Sequence, residues 1–388
     1  MTIVMGFDQH RAQITTEWLD SMTGEIGRAR IAPAHREGVR RFLGRFAGQD
    51  LEVALEATTG WRFVVEELRR VGAGVHLAEP AQTSALRGNK KRPKNDRADA
   101  RHLRELLMIG RLPESWIPPD HLLDLRSEVR LRHTLVDQRG EWQQRIRAVL
   151  YHHGLANRRE LDLLSGEGRA WLEEVELPAA AREQITVAIA MSDALNVQIA
   201  PLDRQLRLYA RCQAGCKALM GHYGIGELTS VAILAELGDC RRFSSSRQAV
   251  RYAGMDITVY ESDKRRSPGH LSRQGPPALR WALYEAAQVA RRAGSPDRGY
   301  YDQAAERLGS NRACVAVARK LLMRAYHTLR ELGEEALQPA SPPRCARKPS
   351  LTQMRRGQLP TCRCRHPRVD GLQRLSGRNA PPSGNNTP

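Results

Sequence analysis

The sequence predicts an α/β domain over residues 1–115, a long helical segment over 120–215 and a mainly α-helical unit over 216–335. Three observations carry this. Short apolar runs alternate with helically spaced stretches as far as residue 115. Apolar positions then recur at heptad-like intervals for nearly a hundred residues. Beyond residue 216, Gly- and Pro-bounded amphipathic segments follow one another. At 388 residues the chain is long enough for two or three domains and a substantial core.

In the first unit, TIVMGFD is an apolar run ending on Asp8, with QITTEWLD and GRARIAP as antiparallel neighbours. AHREGVRRFLGRFAG places Val39, Phe42, Leu43 and Phe46 on one helical face. LEVALEA reads as a buried strand ending on Glu56, WRFVVEELRRVG as a helix stopped by Gly72, and GAGVHLAEP as a strand closed by Pro80. DRADARHLRELLMIG is a helix with Asp96 near its first turn. The expected order is β-β-β-α-β-α-β-α.

In the second unit, Leu135, Trp142 and Val149 recur every seven residues with Ile146 at an offset position. Ile185, Ala188, Ile199, Leu202, Leu206 and Tyr209 form another stripe. An antiparallel pair within one chain and a seam between two chains both satisfy this pattern. In the third unit, GHYGIGELTSVAILAELGD reads as the turn of a helix-hairpin-helix-like element, whose glycines would let backbone N–H groups approach a phosphate. Residues 277–292 and 312–332 read as amphipathic helices. Residues 338–388 form a Pro-, Ser-, Arg- and Gly-rich basic tail, expected to be disordered.

Charge narrows the function. Lys and Arg outnumber Asp and Glu by 61 to 43, a formal +18, which points to a polyanionic partner and foremost to nucleic acid. Aromatics at 5% argue against a lectin-like binder. No run of 18 apolar residues and no leader-like N-terminus is found, so a soluble cytoplasmic protein with no membrane role is expected. Seven scattered cysteines do not suggest a disulfide framework. Cys362 and Cys364, with His366, lack the second ligand pair of a metal knuckle.

The most basic stretch, GNKKRPKNDRADARHL, contains Asp96 and Asp99. At i and i+3 they share a helix face. One reading is a solvated surface neutralised by Lys94, Arg97 and Arg101. The other adds Asp8 and Glu56 at the ends of two strands. Four carboxylates converging in one site suit Mg2+ or Mn2+ and two-metal phosphodiester chemistry. Lys90, Lys91, Arg92 and Lys94 would then hold a nucleic-acid backbone beside the acids.

Taken in order, G-F-D at 6–8, L-E-A-T-T-G-W at 55–61, A-E-P-A-Q at 78–82 and K-N-D-R-A-D-A at 94–100 resemble the DEDD insertion-sequence transposases. The family is insertion-sequence family one-ten, with its one-one-one-one subgroup. The resemblance spans about residues 3–335. It implies an RNase H-like domain of RuvC type in which Asp8, Glu56, Asp96 and Asp99 are catalytic and hold Mg2+ or Mn2+. The C-terminal string A-G-M-D at 253–256, followed by G-H-L-S-R-Q-G-P-P-A-L-R at 269–280, is similar to the family's serine-bearing domain. By that match Ser272 falls on the nucleophilic serine and Arg273 replaces a lysine. Arg265, Arg266, Arg273 and Arg280 are candidates to hold the scissile phosphate.

After Asp8 the sequence departs from the family with Gln9, His10 and Arg11. His10 has two readings, a residue assisting at the site and a surface residue, of which the second is expected. The resemblance implies DNA strand exchange through a phosphoserine, guided by a structured non-coding RNA. It also implies a homo-oligomer, dimer or tetramer, in the bacterial cytoplasm and nucleoid. A RuvC-type nuclease that needs the acids but not Ser272, and a non-catalytic nucleic-acid-binding protein, are the alternatives.

Overall fold

The computed structural model describes residues 2–87, 95–155, 158, 160–258, 260–262, 265–267 and 269–340, with backbone only for 260–262 and 265–267. The tail after residue 340, with Cys362 and Cys364, lies outside the described residues, as do Lys90, Lys91, Arg92 and Lys94.

β1 (Thr2–Gln9), β2 (Ile14–Asp20) and β3 (Ile26–Ile31) form an antiparallel meander. After α1 (Arg36–Leu43), β4 (Asp50–Glu56) joins β1 in parallel; after α2 (Trp61–Arg70), β5 (Gly74–Ala78) joins β4 in parallel. The sheet order is β3-β2-β1-β4-β5. A short helix the sequence reading did not anticipate, α3 (Pro80–Ala85), follows. Glu79 caps it by accepting the Gln82 N–H, and Pro80 opens it. α4 (Asp96–Met108) closes this part.

The two faces of the sheet differ in the size of their side chains. Ile3, Met5, Phe7, Leu51, Val53 and Leu55 meet Val39, Phe42, Val64 and Leu68 of α1 and α2. The opposite face carries Gly6, Ala54 and Ala78, with Leu103 of α4 packed on the alanines. Strands buried on both faces lose the alternation of a half-exposed strand, which is why β1 and β4 read as near-continuous apolar runs.

α5 (Asp120–His152), α6 (Gly166–Glu174) and α7 (Ala179–Cys212) form the helical segment. α5 and α7 run antiparallel within the chain. Arg132 pairs with Asp203 at 2.5 Å and Arg139 with Asn196 at 2.8 Å, while Ile146 and Leu150 pack with Ile185 and Ala188. Leu135, Trp142 and Val149 are only half-buried, whereas Ile146 is fully buried. By length and composition α7 could cross a membrane, but here it pairs with α5 and shares a core with α9.

α8 (Ala214–Met220), α9 (Glu227–Leu237), α10 (Ser246–Tyr252), the hairpin β6 (Tyr260–Ser262) and β7 (Arg265–Ser267), α11 (Pro277–Gln288), α12 (Arg298–Leu308) and α13 (Ser310–Leu332) complete the chain. The hairpin and α12 were not anticipated. The GxG turn before α9 is present. However, a side chain at Gly224 would collide with the Ala286 carbonyl, so its open face serves packing on α11.

Candidate active site

Asn95 starts α4 by accepting the Ala98 N–H at 2.7 Å. That cap fixes Asp96 and Asp99 in the first turn, where free backbone N–H groups favour negative charge. Gly6 then decides how close α4 comes to the sheet. A Cβ there would overlap the Ala100 carbonyl oxygen and press on the Arg104 nitrogen at 2.8 Å. Only glycine lets the helix lie this low. Two residues further along β1, on the same face, comes Asp8.

Asp8 and Asp99 are buried, at 7% and 8% exposure, and Asp96 is half-buried. Burial pushes Asp8 up to about 6, and the carboxylates of Asp99 and Asp96 add to this against the opposing pull of His10. The β1–β4 register pairs Gly6 with Ala54 and ends with Phe7 opposite Leu55, so by alternation Asp8 and Glu56, the next residue on each strand, leave the same face of the sheet. The structure therefore gathers Asp8, Asp96 and Asp99, with Glu56 on the neighbouring strand end.

Further side chains join the acids, and the reading of His10 as a residue at the site is the one the structure favours. His10 is half-exposed, as a surface residue would be, yet its Nε2 lies 3.1 Å from Asp8 Oδ2 and 3.6 Å from Asp96 Oδ1. Asp8, His10 and Asp96 each offer a ligand atom within 4.8 Å of the others. Gln13 donates to Asp96 at 3.0 Å, and Arg87 donates to Asp99 at 2.5 Å. The alternative reading, in which Arg101 neutralises the aspartates, is not what the structure shows. Arg101 turns to the buried Glu17, at 3.3 Å, together with Arg104 and Arg28. Burial would raise Glu17, but hydrogen bonds from Arg28, Arg104 and Arg101 hold it below the usual carboxylate range. This ionic cluster ties α4 to β2 and so fixes the height of Asp96 and Asp99 over the sheet. No spacing rule connects Glu17 to Arg104 across 87 residues of chain.

The donor set fits a divalent cation. Asp8 carries a burial and repulsion cost that no cation among the described residues fully offsets. Its ladder partner Thr15 has a buried hydroxyl without a hydrogen-bond partner among the described residues. Hard oxygen ligands with one imidazole suit Mg2+ or Mn2+.

Ser272 lies on a second element. Residues 256–258 run antiparallel to 270–272 at the base of the β6–β7 hairpin, through the Ile257–Leu271 bridge and the Thr258 N–H bond to the His270 carbonyl at 2.9 Å. The Ser272 N–H donates to the Asp256 carbonyl at 3.1 Å, and its hydroxyl donates to the Asp256 carboxylate. Arg273 is exposed and holds a φ of 53°, in the left-handed region. Arg280 donates to the carbonyls of Gly275, at 2.6 Å, and Ala253, at 3.2 Å, so it braces the loop. Arg265 and Arg266 lie on β7, and their side chains are outside the described residues.

Two family models match the chain. One, described as a transposase of the DEDD type, matches residues 5–153 and so contains all four acids. The other, described as the transposase IS116/IS110/IS902 family, matches residues 216–302 and contains the Ser272 hairpin. Together they span more than half of the sequence. The chain belongs to the IS110 family of transposases. Among curated relatives, it is similar to a probable family 20 transposase of Pseudomonas aeruginosa, 28% identical over 61% of this chain and 70% of that one. It is also similar to the transposase for insertion sequence element IS1111A of Coxiella burnetii, 25% identical over 69% of this chain and 74% of that one. The transposase for insertion sequence element IS1328 of Yersinia enterocolitica is 25% identical over 61% and 70% of the respective chains. As an insertion-sequence transposase, the protein acts on DNA, and a DEDD-type domain suits the use of a divalent metal.

Proposed function

We propose that this transposase exchanges DNA strands through a covalent phosphoserine at Ser272, assisted by Mg2+ or Mn2+ held by Asp8, Glu56, Asp96 and Asp99. The observation that carries the metal half is the convergence of Asp8, Asp96 and Asp99 on one face of the sheet, with Glu56 leaving the same face from the end of the neighbouring strand. The strand order, an antiparallel meander followed by two parallel strands, supports an RNase H-like, RuvC-type reading of the first domain. A bound divalent ion would supply charge stabilisation to the attacking and leaving oxygens. The protein's own contribution is to hold the carboxylates on rigid elements, with Asp99 paired to Arg87.

Arg273 is exposed next to Ser272 and is available to a phosphate of the DNA backbone, with Arg265 and Arg266 on the neighbouring strand. The family pattern extends the reading to a structured non-coding RNA that pairs with donor and target DNA. The protein would then read backbone and shape more than sequence. It also extends to a dimer or tetramer in which the serine of one protomer meets the acids of another.

The test is a denaturing gel of the protein incubated with Mg2+, a duplex carrying the element end and the adjoining RNA. An adduct formed by wild type and lost in both Ser272→Ala and Asp99→Ala is the expected result. Cleaved DNA without an adduct, unaffected by Ser272→Ala, would replace this reading with a structure-selective nuclease that uses water.

A further inference from the structure

A serine hydroxyl is a weak nucleophile, and its attack on phosphorus requires somewhere for its proton to go. The acids lie on the sheet and its roofing helix, Ser272 lies at the base of the β6–β7 hairpin, and one other carboxylate, that of Asp256, is already bonded to the serine. We propose that Asp256 is the proton acceptor of Ser272, an inference that rests on the reading of Ser272 as the nucleophile.

Asp256 and Ser272 are joined twice, by the backbone pairing at 3.1 Å and by the hydroxyl-to-carboxylate bond. The backbone pairing leaves the side-chain bond little freedom to wander. The ladder continues through Ile257 and Leu271 to Thr258 and His270. Gly269 packs so closely on the Thr258 carbonyl that any side chain there would collide with it. On the other side of Ser272 the chain turns sharply. The Arg273 N–H returns to the Gly254 carbonyl at 3.0 Å, with Arg273 in a conformation that costs a non-glycine residue about 1 kcal/mol or more. The pair is thus clamped from both sides, and the strained residue stands next to the hydroxyl.

Arg319 of α13 completes the arrangement. Its Nε donates to the Met255 carbonyl at 2.6 Å, and its charge lies near enough to Asp256 for the two to attract.

The step balances without a further reactant. The Ser272 Oγ–phosphorus bond forms as the bond from phosphorus to the leaving strand oxygen breaks. The hydroxyl proton passes to Asp256, and the leaving oxygen takes a proton from solvent. In the return step a strand hydroxyl attacks the phosphoserine and loses its proton to solvent, while Asp256 returns its proton to Oγ.

A merely structural bond between these side chains would be worth about 1 kcal/mol, and asparagine would preserve it because its carbonyl still accepts from the hydroxyl. A proton acceptor is worth about 10²–10⁴-fold, and asparagine cannot replace it. The experiment compares single-turnover adduct formation by full-length wild type, Asp256→Asn, Ser272→Ala, Ser272→Cys and the Asp256→Asn/Ser272→Cys double variant. All are incubated with Mg2+, element-end duplex and adjoining RNA.

Asp256→Asn is expected to slow the adduct by about 10²-fold or more. A cysteine thiol ionises without help, so the double variant should match Ser272→Cys within about threefold, which also shows that the asparagine protein is folded. Adduct formation by Asp256→Asn within about threefold of wild type overturns the proposal, as does an equal loss on the serine and cysteine backgrounds. Strand exchange that survives Ser272→Ala overturns the nucleophile reading itself, and this inference with it.

Discussion

Asp8 and Ser272 each present an oxygen to the proposed chemistry, but the chain holds the two in different ways. Asp8 is built into the middle strand of a sheet and roofed by a helix, among carboxylates that repel it. Ser272 sits at the base of a hairpin, its hydroxyl already bonded to Asp256 and its neighbours pinned by loop carbonyls. The first site stores an electrostatic cost that a cation can relieve. The second holds its carboxylate against the serine hydroxyl and carries backbone strain at Arg273 instead. Rigid elements suit a metal site, where ligand positions matter to fractions of an ångström. A hairpin suits a nucleophile that must reach a large substrate.

The sharpest way to break this contrast is at Gly6. Gly6→Ala forces α4 off the sheet, because the new Cβ meets helix backbone that cannot rotate away. We expect a loss of about 1–3 kcal/mol in stability, read from denaturant melts, and a fall of more than about 100-fold in adduct formation. An active Gly6→Ala protein would show that the height of α4 is not critical.

Asp8→Asn tests the stored cost. The folded value of Asp8 lies above its ordinary 3.8, so from about pH 4 to about pH 6 the folded chain keeps a proton that the unfolded chain has lost. On this group's account, the stability of the metal-free protein falls as pH rises through that window. At pH 7 the cost is on the order of 3 kcal/mol. Asp8→Asn should recover much of it while abolishing activity. Mg2+ should raise the Tm of wild type and leave that of the variant nearly unchanged. Equal stability of the two proteins at pH 7 would contradict the charge argument.

A smaller effect is expected at Arg87, whose guanidinium competes with a cation for Asp99. Arg87→Ala should tighten Mn2+ binding by about tenfold in calorimetric titration, and weaker binding would make Arg87 a supporting residue. The smallest lies in the serine hairpin. Arg273→Gly should relieve the left-handed backbone, raise stability by up to about 1 kcal/mol and weaken DNA binding. The binding loss should shrink at high salt if Arg273 contacts phosphate.

Much of the acid site could be read from the chain because its determinants are local. Asp8 and Glu56 end apolar runs, and Asp96 and Asp99 follow a capping asparagine at helical spacing. The residues that tune the site could not be read in this way. For His10 the sequence allowed a role at the site but favoured the surface, and the turn of the chain is what brings it to Asp8 and Asp96. Arg101 belongs by spacing to the aspartates, yet the buried Glu17 claims it, because an unpaired carboxylate in the interior costs more than an exposed one. Arg280 resembles a phosphate ligand in the sequence, and in the fold it braces the serine loop.

The sequence by itself determined the order of the first seven elements and the helix of Asp96 and Asp99, though not the short α3 before it, together with the basic character of the protein, the chain positions of the four acids and the resemblance that carries Ser272. These depend on periodicity, capping and short ordered strings, which act over a few residues at a time. Only the tertiary structure decided that α5 and α7 pair within one chain and that Gly6 sets the height of the acidic helix. It also decided that Asp256 receives the serine hydroxyl. Each of these is a contact between residues distant in sequence, chosen by which surfaces can approach most closely without leaving a buried polar group or a void, and no local pattern encodes that choice.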